Sequence, residues 1–253
     1  MSYPFHWAAA TDVGKLRDNN EDRFAVDADL GLFIVLDGMG GHAAGEVAAE
    51  TAARDLPAIA GEQIKSMKPR GARAVRRWLA RVVVEVSRQI HFLGRTRIAQ
   101  EGMGATLALV LLLEGRAYMA NLGDSRVYRI RAGRLTQLSK DHSLVRELIE
   151  EGEISPDEAP YHEARGIVTQ HVGMPEGGDP YVRSYALRPG DRFLLCSDGL
   201  SDQVRDETIR EVLEAHEDLQ EACDIFVGLS NAAGGIDNVT VMLVEWTGES
   251  SHA

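Results

Sequence analysis

The sequence predicts an α+β protein, with strands grouped towards both ends of the chain and helical pairs between them. The run Leu32 to Leu36 is continuously apolar, which is typical of a strand buried on both faces. Residues 43–60 are rich in alanine and other strong helix formers, and residues 70–99 place apolar side chains at helical spacing. This grouping favours antiparallel sheets with helices packed on their outer faces.

The elements follow one another in a clear order. Strands are predicted at residues 6–11, 22–27, 32–36, 105–113, 117–122, 126–131, 134–138, 181–187, 192–197 and 239–246. Helices are predicted at residues 43–60, 70–99, 143–151, 206–215 and 219–232. Ala132-Gly133 and Pro189-Gly190-Asp191 give turn signals between successive strands. The segment 152–178 is rich in Gly, Pro, Glu and His, so we expect a mobile surface loop or flap there.

Length and composition indicate one large globular domain followed by a short tail at 248–253. The chain has 253 residues, of which 44% are hydrophobic and 26% charged. The net charge of −12 argues against nucleic acid or an anionic membrane as the partner. Two cysteines do not make a disulfide framework, and the chain starts without a signal-peptide pattern. The longest apolar run, Leu107 to Leu113, is too short to span a bilayer, so we predict a cytoplasmic protein.

Aspartates at the ends of predicted strands are the most informative feature. Asp37 follows LFIVL, Asp124 follows a strand and Gly123, Asp198 follows FLLCS, and Asp237 precedes the last strand. A carboxylate at the end of a buried strand must be paired or bind a cation, and several together repel one another unless a divalent ion neutralises them. Single Asp-Gly pairs are common turn residues, so the argument rests on the recurrence. Hard oxygen ligands without a His or Cys cluster indicate magnesium, manganese or calcium rather than zinc.

A series of motifs resembles the type 2C metal-dependent protein phosphatases, in their bacterial branch. In chain order they are TDVG at 11–14 with Arg17 and Asn20 to Arg23, DGMGGH at 37–42 with Gly45 and Glu46, GMGAT at 102–106, NLGDSR at 121–126, DHS at 141–143, LCSDGLSD at 195–202 and GIDNVT at 235–240. Each motif is weak alone, but their order and spacing along nearly the whole chain are specific.

The resemblance implies a four-layer fold and a hydrolytic activity. Two antiparallel β-sheets would be flanked by helices on both outer faces, in a single catalytic domain at 1–247 with a flap at about 143–178. The implied reaction is hydrolysis of phosphoserine and phosphothreonine in proteins by in-line attack of a water that bridges two metal ions. The implied cofactors are Mn²⁺ or Mg²⁺, with two ions in the core site and a third in bacterial members.

The resemblance also implies metal ligands. Asp37 would bridge the two core ions, the Gly38 carbonyl would bind one of them, and Asp198 and Asp237 would complete the pair. A third ion would be held by Asp124, Asp198 and Asp202.

Further residues would act beside the ions. Arg17 would hold the substrate phosphate, for which its planar fork is suited. Glu21 and Asp22 would act through bound water, with Asn238 close behind the ligands. A serine alkoxide needs a proton donor as it leaves. Animal members carry a His after the Asp-Gly pair, whereas this chain has Met39 there. Three possibilities remain open: His42 is the proton donor, a metal-bound water is the donor, or His42 has a purely structural role.

Expected partners are phosphorylated proteins, namely a bacterial-type serine/threonine kinase and its substrates, and we expect a monomer. The flap departs from the usual bacterial pattern, because Gly166 stands where Asn is common and Gln170 where Arg is common. These departures bear on flap rigidity and substrate preference, not on the metal ligands.

Three alternatives compete with this interpretation. Residues 38–43 fit the dinucleotide-binding pattern G-x-G-x-x-A, but Asp37 would then face a pyrophosphate without a cation. A second alternative is a module of the same fold that binds phosphoproteins without turnover. A third is a metal phosphoesterase acting on small molecules or nucleotides.

Overall fold

The computed structural model describes residues 4–40, 43–67, 71–96 and 102–248. The strands are β1 Phe5–Asp12, β2 Arg23–Asp27, β3 Leu32–Leu36, β4 Gly38–Met39, β5 Gly104–Ala105, β6 Leu107–Leu113, β7 Arg116–Leu122, β8 Arg126–Arg131, β9 Arg134–Gln137, β10 Tyr181–Ala186, β11 Asp191–Cys196 and β12 Val239–Trp246. The helices are α1 Ala43–Ser66, α2 Ala72–Thr96, α3 Leu144–Glu151, α4 Asp198–Ser201, α5 Asp206–Ala215 and α6 Leu219–Ala232. The predicted α+β class is confirmed.

The strands form two five-stranded antiparallel sheets and a small ribbon. One sheet has the order β1-β12-β11-β8-β9, the other has the order β10-β7-β6-β3-β2, and β4 pairs with β5. The first and last strands pair along their whole length, from Phe5 opposite Trp246 to Asp12 opposite Val239. This pairing carries the loop after β1 and the loop before β12 to the same end of the molecule.

The two sheets pack face to face around a shared apolar layer. Phe33 and Val35 of β3 lie in this layer with Phe193 and Leu195 of β11, and all four are at most 1% exposed. Because side chains alternate along a strand, the remaining residues of β3 point to the opposite face. They join a second cluster with α1 and α2, so β3 is buried on both sides as its continuous apolar run predicts.

Helices cover the outer face of each sheet. Ala48, Ala49 and Ala52 of α1 are fully buried, and their small side chains let the helix lie close to the sheet beneath it. On the other side, Ile209 of α5 and Phe226 of α6 pack onto the sheet that contains β1 and β12. The four layers are therefore helices, sheet, sheet and helices, which confirms the predicted sandwich.

Several details differ from the sequence-based boundaries. The strand predicted at 105–113 is split at Thr106, because β5 turns away to pair with β4. The helix α4 was not predicted, since a single turn leaves no periodic pattern. Residues 152–178 contain one short 3-10 helix, Ala159–Tyr161, and are otherwise irregular. No helix among the described residues has the length and apolar character that a bilayer span requires.

Candidate metal centre

An acidic cavity of about 320 Å³ opens at the end of the sandwich where the motifs converge. Its lining includes Arg17, Asn19, Glu21, Asp37, Gly38, Met39, Gly40, Thr106, Asp124, Gly166, Val168, Asp198, Asp237 and Asn238. A larger cavity of about 590 Å³ lies beside α3, but Asp141 is its only acidic lining residue. The smaller cavity therefore holds the concentration of carboxylates that the sequence predicts.

Asp37 is held in position by Thr106, the residue that separates β5 from β6. It follows β3 directly, and its backbone N–H donates to Thr106 Oγ1 over 3.1 Å. The backbone N–H of Thr106 donates in return to the Asp37 carbonyl over 2.8 Å. Thr106 was part of a sequence motif but had no predicted role, and only the tertiary structure shows that it positions Asp37.

Gly38 leaves no room for a side chain. A Cβ built there would lie 2.5 Å from the Gly45 carbonyl oxygen and 2.7 Å from that of Glu21. Only glycine permits this close approach of backbone to backbone. The Gly38 residue thus lines the cavity with backbone alone, as required of a residue whose predicted contribution is its carbonyl.

Asp198 lines the cavity, and Asp22 is buried close enough for the two carboxylates to repel each other. Asp198 begins α4, where β11 ends, and Asp22 is 2% exposed just before β2. Ser197 Oγ donates to Asp22 Oδ2 over 2.7 Å. The second oxygen of Asp22 and Oδ1 of Asp198 are both buried without a hydrogen-bond partner. Buried carboxylate oxygens without a partner are costly, so this arrangement favours an additional positively charged group.

Asp237 is paired with Arg17 across the mouth of the cavity. Arg17 Nη2 donates to Asp237 Oδ2 over 2.8 Å, and both side chains are partly exposed. The ion pair brings the predicted phosphate-binding arginine and a predicted metal ligand together from opposite ends of the chain.

Asn238 ties the Arg17 loop to the start of β12. Its Oδ1 accepts from the Glu21 N–H over 2.8 Å, and its Nδ2 donates to the carbonyls of Val13 and Asn19, each over 2.9 Å. The side chain therefore holds residues 13–21 in place. The sequence analysis predicted that Asn238 lies behind the metal ligands. It did not predict these bonds to the loop, because they form only in the folded structure.

Asp124 reaches the cavity from the loop after β7. The backbone of the preceding Gly123 is held by His142, whose Nδ1 accepts from the Gly123 N–H over 3.1 Å. The His142 N–H donates to the Gly123 carbonyl over 2.9 Å. His142 thus supports the loop that carries Asp124 and does not line the cavity.

The carboxylates crowd one another strongly. Burial raises the pKa of Asp37 well above its usual range, and repulsion from neighbouring carboxylates raises it further. Burial, with repulsion from Asp198, raises the pKa of both Asp22 and Asp124 to about 7. Burial and repulsion from Asp202 and Asp237 raise the pKa of Asp198 to about 6. An acidic cluster of this kind is stabilised by cations.

The residues fit divalent ions chemically. The donors are carboxylate and carbonyl oxygens, two carboxylate oxygens beneath the cavity lack a partner, and a cation would relieve the repulsion. Among the described residues, however, no three His, Cys, Asp or Glu side chains are arranged as a closed ligand set. The Asp237 oxygen that accepts from Arg17 is also one that an ion at this site would use.

Asp202 lies outside this cavity. It lines a neighbouring one with Arg165 and Tyr161, and its carboxylate is 2.9 Å from Arg165 Nη2. The predicted flap is thereby joined to an acid that the resemblance implied for a third ion. Gly166 and Val168, on the same segment, line the acidic cavity itself.

His42, one of the candidates for the proton donor, lies outside the described residues. Met39 lines the cavity, as does Asn19, which the sequence analysis did not single out. Asn19 Nδ2 donates to Glu21 Oε1 over 3.2 Å. No sequence signal distinguished Asn19 from its polar neighbours in the loop.

Fold and cavity together are those of a metal-dependent phosphatase. A model of the protein phosphatase 2C family matches residues 16–226, and the chain belongs to that family. The protein phosphatase PhpP of Streptococcus pneumoniae is 37% identical over 246 residues, covering 96% of this chain and 98% of the relative.

Solved structures agree with this assignment. The serine/threonine phosphatase PstP/Ppp of Mycobacterium tuberculosis superposes with a TM-score of 0.84 at 36% identity, covering 96% of this chain and 99% of the other. The catalytic domain of PstP in complex with two manganese ions gives a TM-score of 0.80 at 37% identity, covering 95% and 97%.

The chain is accordingly a metal-dependent protein serine/threonine phosphatase that acts on phosphorylated proteins. The similar proteins reported above are all phosphatases by name, and no finding supports the phosphoprotein-binding module without turnover.

Proposed function

We propose that the acidic cavity is the catalytic site and that its carboxylates hold two divalent ions. Asp37, the Gly38 carbonyl, Asp198 and Asp237 would be the ligands, with Glu21 and Asp22 acting through water. The observation that carries this proposal is the buried Asp198 Oδ1, which has no hydrogen-bond partner although it lies among carboxylates of raised pKa.

Arg17 binds the phosphate in this proposal. Its bond to Asp237 uses Nη2 alone, and the side chain is about half exposed at the cavity mouth. The Nε and Nη1 groups make no bond that the described residues reveal, so they are free to donate to phosphate oxygens. Asn238 holds the loop that carries Arg17 in place at the cavity through its hydrogen bonds to residues 13–21.

Bound divalent ions supply Lewis-acid activation of water and positive charge beside the phosphate. The chain itself contributes orientation of the phosphate by Arg17 and fixed carboxylates on the cavity floor. A serine or threonine leaving group also needs a proton. We propose His42 as the residue to test for that role, because Met39 has no proton to give.

The preferred ion and the third site are part of the proposal. A relative binds two manganese ions, so we propose manganese for the core site, with magnesium as its substitute. Asp124, Asp198 and Asp202 would hold a third ion. The bond between Asp202 and Arg165 would have to open for Asp202 to take part.

The organisation and physiology predicted from the sequence stay predictions. They are a catalytic domain at 1–247 with a flap at about 143–178, a monomeric protein in the cytoplasm, and a bacterial-type serine/threonine kinase with its substrates as partners. The irregular segment 152–178, two residues of which line the cavity, supports the flap.

The test is hydrolysis of phosphoserine and phosphothreonine peptides with and without Mn²⁺. We expect turnover with Mn²⁺ that EDTA abolishes, and loss of turnover in Asp37→Asn. Asp224→Asn, a change on the exposed face of α6, is the matched control and should keep full activity. Metal-independent turnover, or an active Asp37→Asn, would contradict the proposed site. A nucleotide panel tests the small-molecule alternative, which would be favoured if nucleotides were hydrolysed faster than peptides.

A further inference from the structure

Two exposed aliphatic side chains stand next to the residues that define the cavity mouth. Leu16 is 70% exposed and directly precedes Arg17, and Ile236 is 47% exposed and directly precedes Asp237. Isolated apolar residues on a surface are common and need no explanation. These two, however, occupy equivalent positions beside both partners of one ion pair.

Two contacts bring together the loops that carry Leu16 and Ile236. On one side, the Gly235 carbonyl accepts from the N–H groups of Lys15 and Leu16, over 2.7 and 3.2 Å. On the other side, Arg17 bonds to Asp237 over 2.8 Å. Leu16 and Ile236 belong to the short segments that these contacts join, so the loops that carry them run side by side at the rim.

Packing within the protein does not explain the apolar character of this pair. Neither Leu16 nor Ile236 belongs to the hydrophobic clusters formed by the described residues. The neighbours Lys15 and Asp18 are polar and exposed, as expected for a solvated loop. An aliphatic pair kept in water beside a binding site gains free energy only when something apolar covers it.

We propose that Leu16 and Ile236 form a shelf that binds an apolar residue adjacent to the phosphorylated residue of the protein substrate. The occupant follows from continuity with the cavity: the phosphate is held by Arg17, and the next residue of the polypeptide then passes over the shelf. This inference rests on the proposed role of Arg17 and names the kind of substrate sequence that the site prefers.

The experiment compares phosphopeptides that differ at one position next to the phosphorylated residue. Leu and Asn have similar size and differ in polarity, so they form the matched pair, tested on each side of the phosphorylated residue. With Mn²⁺, we expect kcat/KM to favour Leu over Asn about fivefold on one side only, as partial burial of one aliphatic side chain gives. With the wild-type enzyme, kcat/KM should rise steadily when the residue at this position of the peptide changes from Ala to Val to Leu.

Variants locate the preference on the shelf. Leu16→Asn and Ile236→Asn should each lower the Leu-to-Asn ratio, and the double variant should bring it to about one. Leu16→Met and Ile236→Val keep an apolar surface and should keep most of the ratio. Phe92→Asn is the control, because Phe92 is 67% exposed on α2 and does not line the acidic cavity.

The outcomes separate this inference from the proposed function. If the enzyme hydrolysed none of the phosphopeptides in the presence of metal, that result would contradict the proposed catalytic site itself. Turnover without a Leu preference, or a preference that survives the double variant, would overturn the shelf alone. A dimer in light scattering that Leu16→Asn dissociates would show that a second copy covers the pair, and would also overturn it.

Discussion

Arg165 of the irregular segment 152–178 lies 2.9 Å from the carboxylate of Asp202, measured from Nη2 to Oδ2. The same guanidinium nitrogen donates to the Asp202 carbonyl over 3.3 Å. The two residues are 37 positions apart in the chain. The contact joins the irregular segment above the acidic cavity to the turn that follows Asp198.

Removal of this contact should release Asp202. In Arg165→Met we expect the weakest class of Mn²⁺ sites to bind tighter by a factor of up to about five, because a partly exposed ion pair contributes roughly 0–1 kcal/mol. Calorimetric titration with Mn²⁺ measures the change. The control is Arg210→Met, which removes an equally exposed pair with Glu214 on α5. Weaker Mn²⁺ binding in Arg165→Met would contradict the assignment of Asp202.

The ion-free protein should lose stability as the pH rises from about 4 to about 7. The pKa values of Asp22 and Asp124 rise from 3.8 to about 7 on folding, and that of Asp198 rises from 3.8 to about 6. The folded state therefore binds more protons than the unfolded state in this range, so the free energy of unfolding falls as the pH increases. The loss of stability caused by these three carboxyl groups is absent below pH 3.8 and complete above about pH 7.

Thermal unfolding in EDTA measures this slope. Asp198→Asn removes one of the titrating groups, so its Tm should fall less steeply between pH 4 and 7 than that of the wild type. Added Mn²⁺ should flatten the wild-type slope, because cation binding favours the ionised carboxylates. A wild-type Tm in EDTA that climbs across this range, or that falls no more steeply than that of Asp198→Asn, would show that the carboxylates are not crowded as described.

Asn238→Ala should weaken both the fold and the site. It removes one acceptor and two donor interactions that hold residues 13–21, which we expect to lower the free energy of unfolding by about 2–4 kcal/mol. Because Arg17 is on this loop, KM for a phosphopeptide should increase more than kcat falls. Denaturant unfolding and steady-state kinetics test the two parts. Gln220→Ala on α6 is the control, and equal effects in both variants would count against a positioning role.

Arg17→Ala should lower kcat/KM for phosphopeptides by about 10- to 100-fold, the value of one or two hydrogen bonds to a charged group. Arg17→Lys should recover only part of this loss, because an ammonium group lacks the planar fork. Mn²⁺ affinity should be unchanged or higher in Arg17→Ala, since Asp237 loses its partner. Weaker Mn²⁺ binding together with unchanged KM would show that Arg17 acts by positioning Asp237 and not by binding the phosphate.

The sequence predicts the strands and the acidic residues well because both depend on local signals. An apolar run such as Leu32–Leu36 predicts a buried strand, and Asp37 and Asp198 come after such strands. The ribbon formed by β4 and β5 was missed, because two-residue strands carry no pattern. The loop contacts of Asn238 and the pairing of Arg165 with Asp202 were missed as well, since they depend on how distant segments meet.

The position of β12 sets the moment at which the acidic cavity of a newly made chain is complete. Among the described residues, β1 is an edge strand that pairs with β12 alone, and Asp237 lies two residues before β12 begins. During translation, therefore, β1 has no partner and the cavity has no Asp237 until residues 237–246 have left the ribosome. If Asp237 holds an ion as proposed, an incomplete nascent chain is catalytically silent, and phosphatase activity then reports only chains that have been synthesised at least to the last strand.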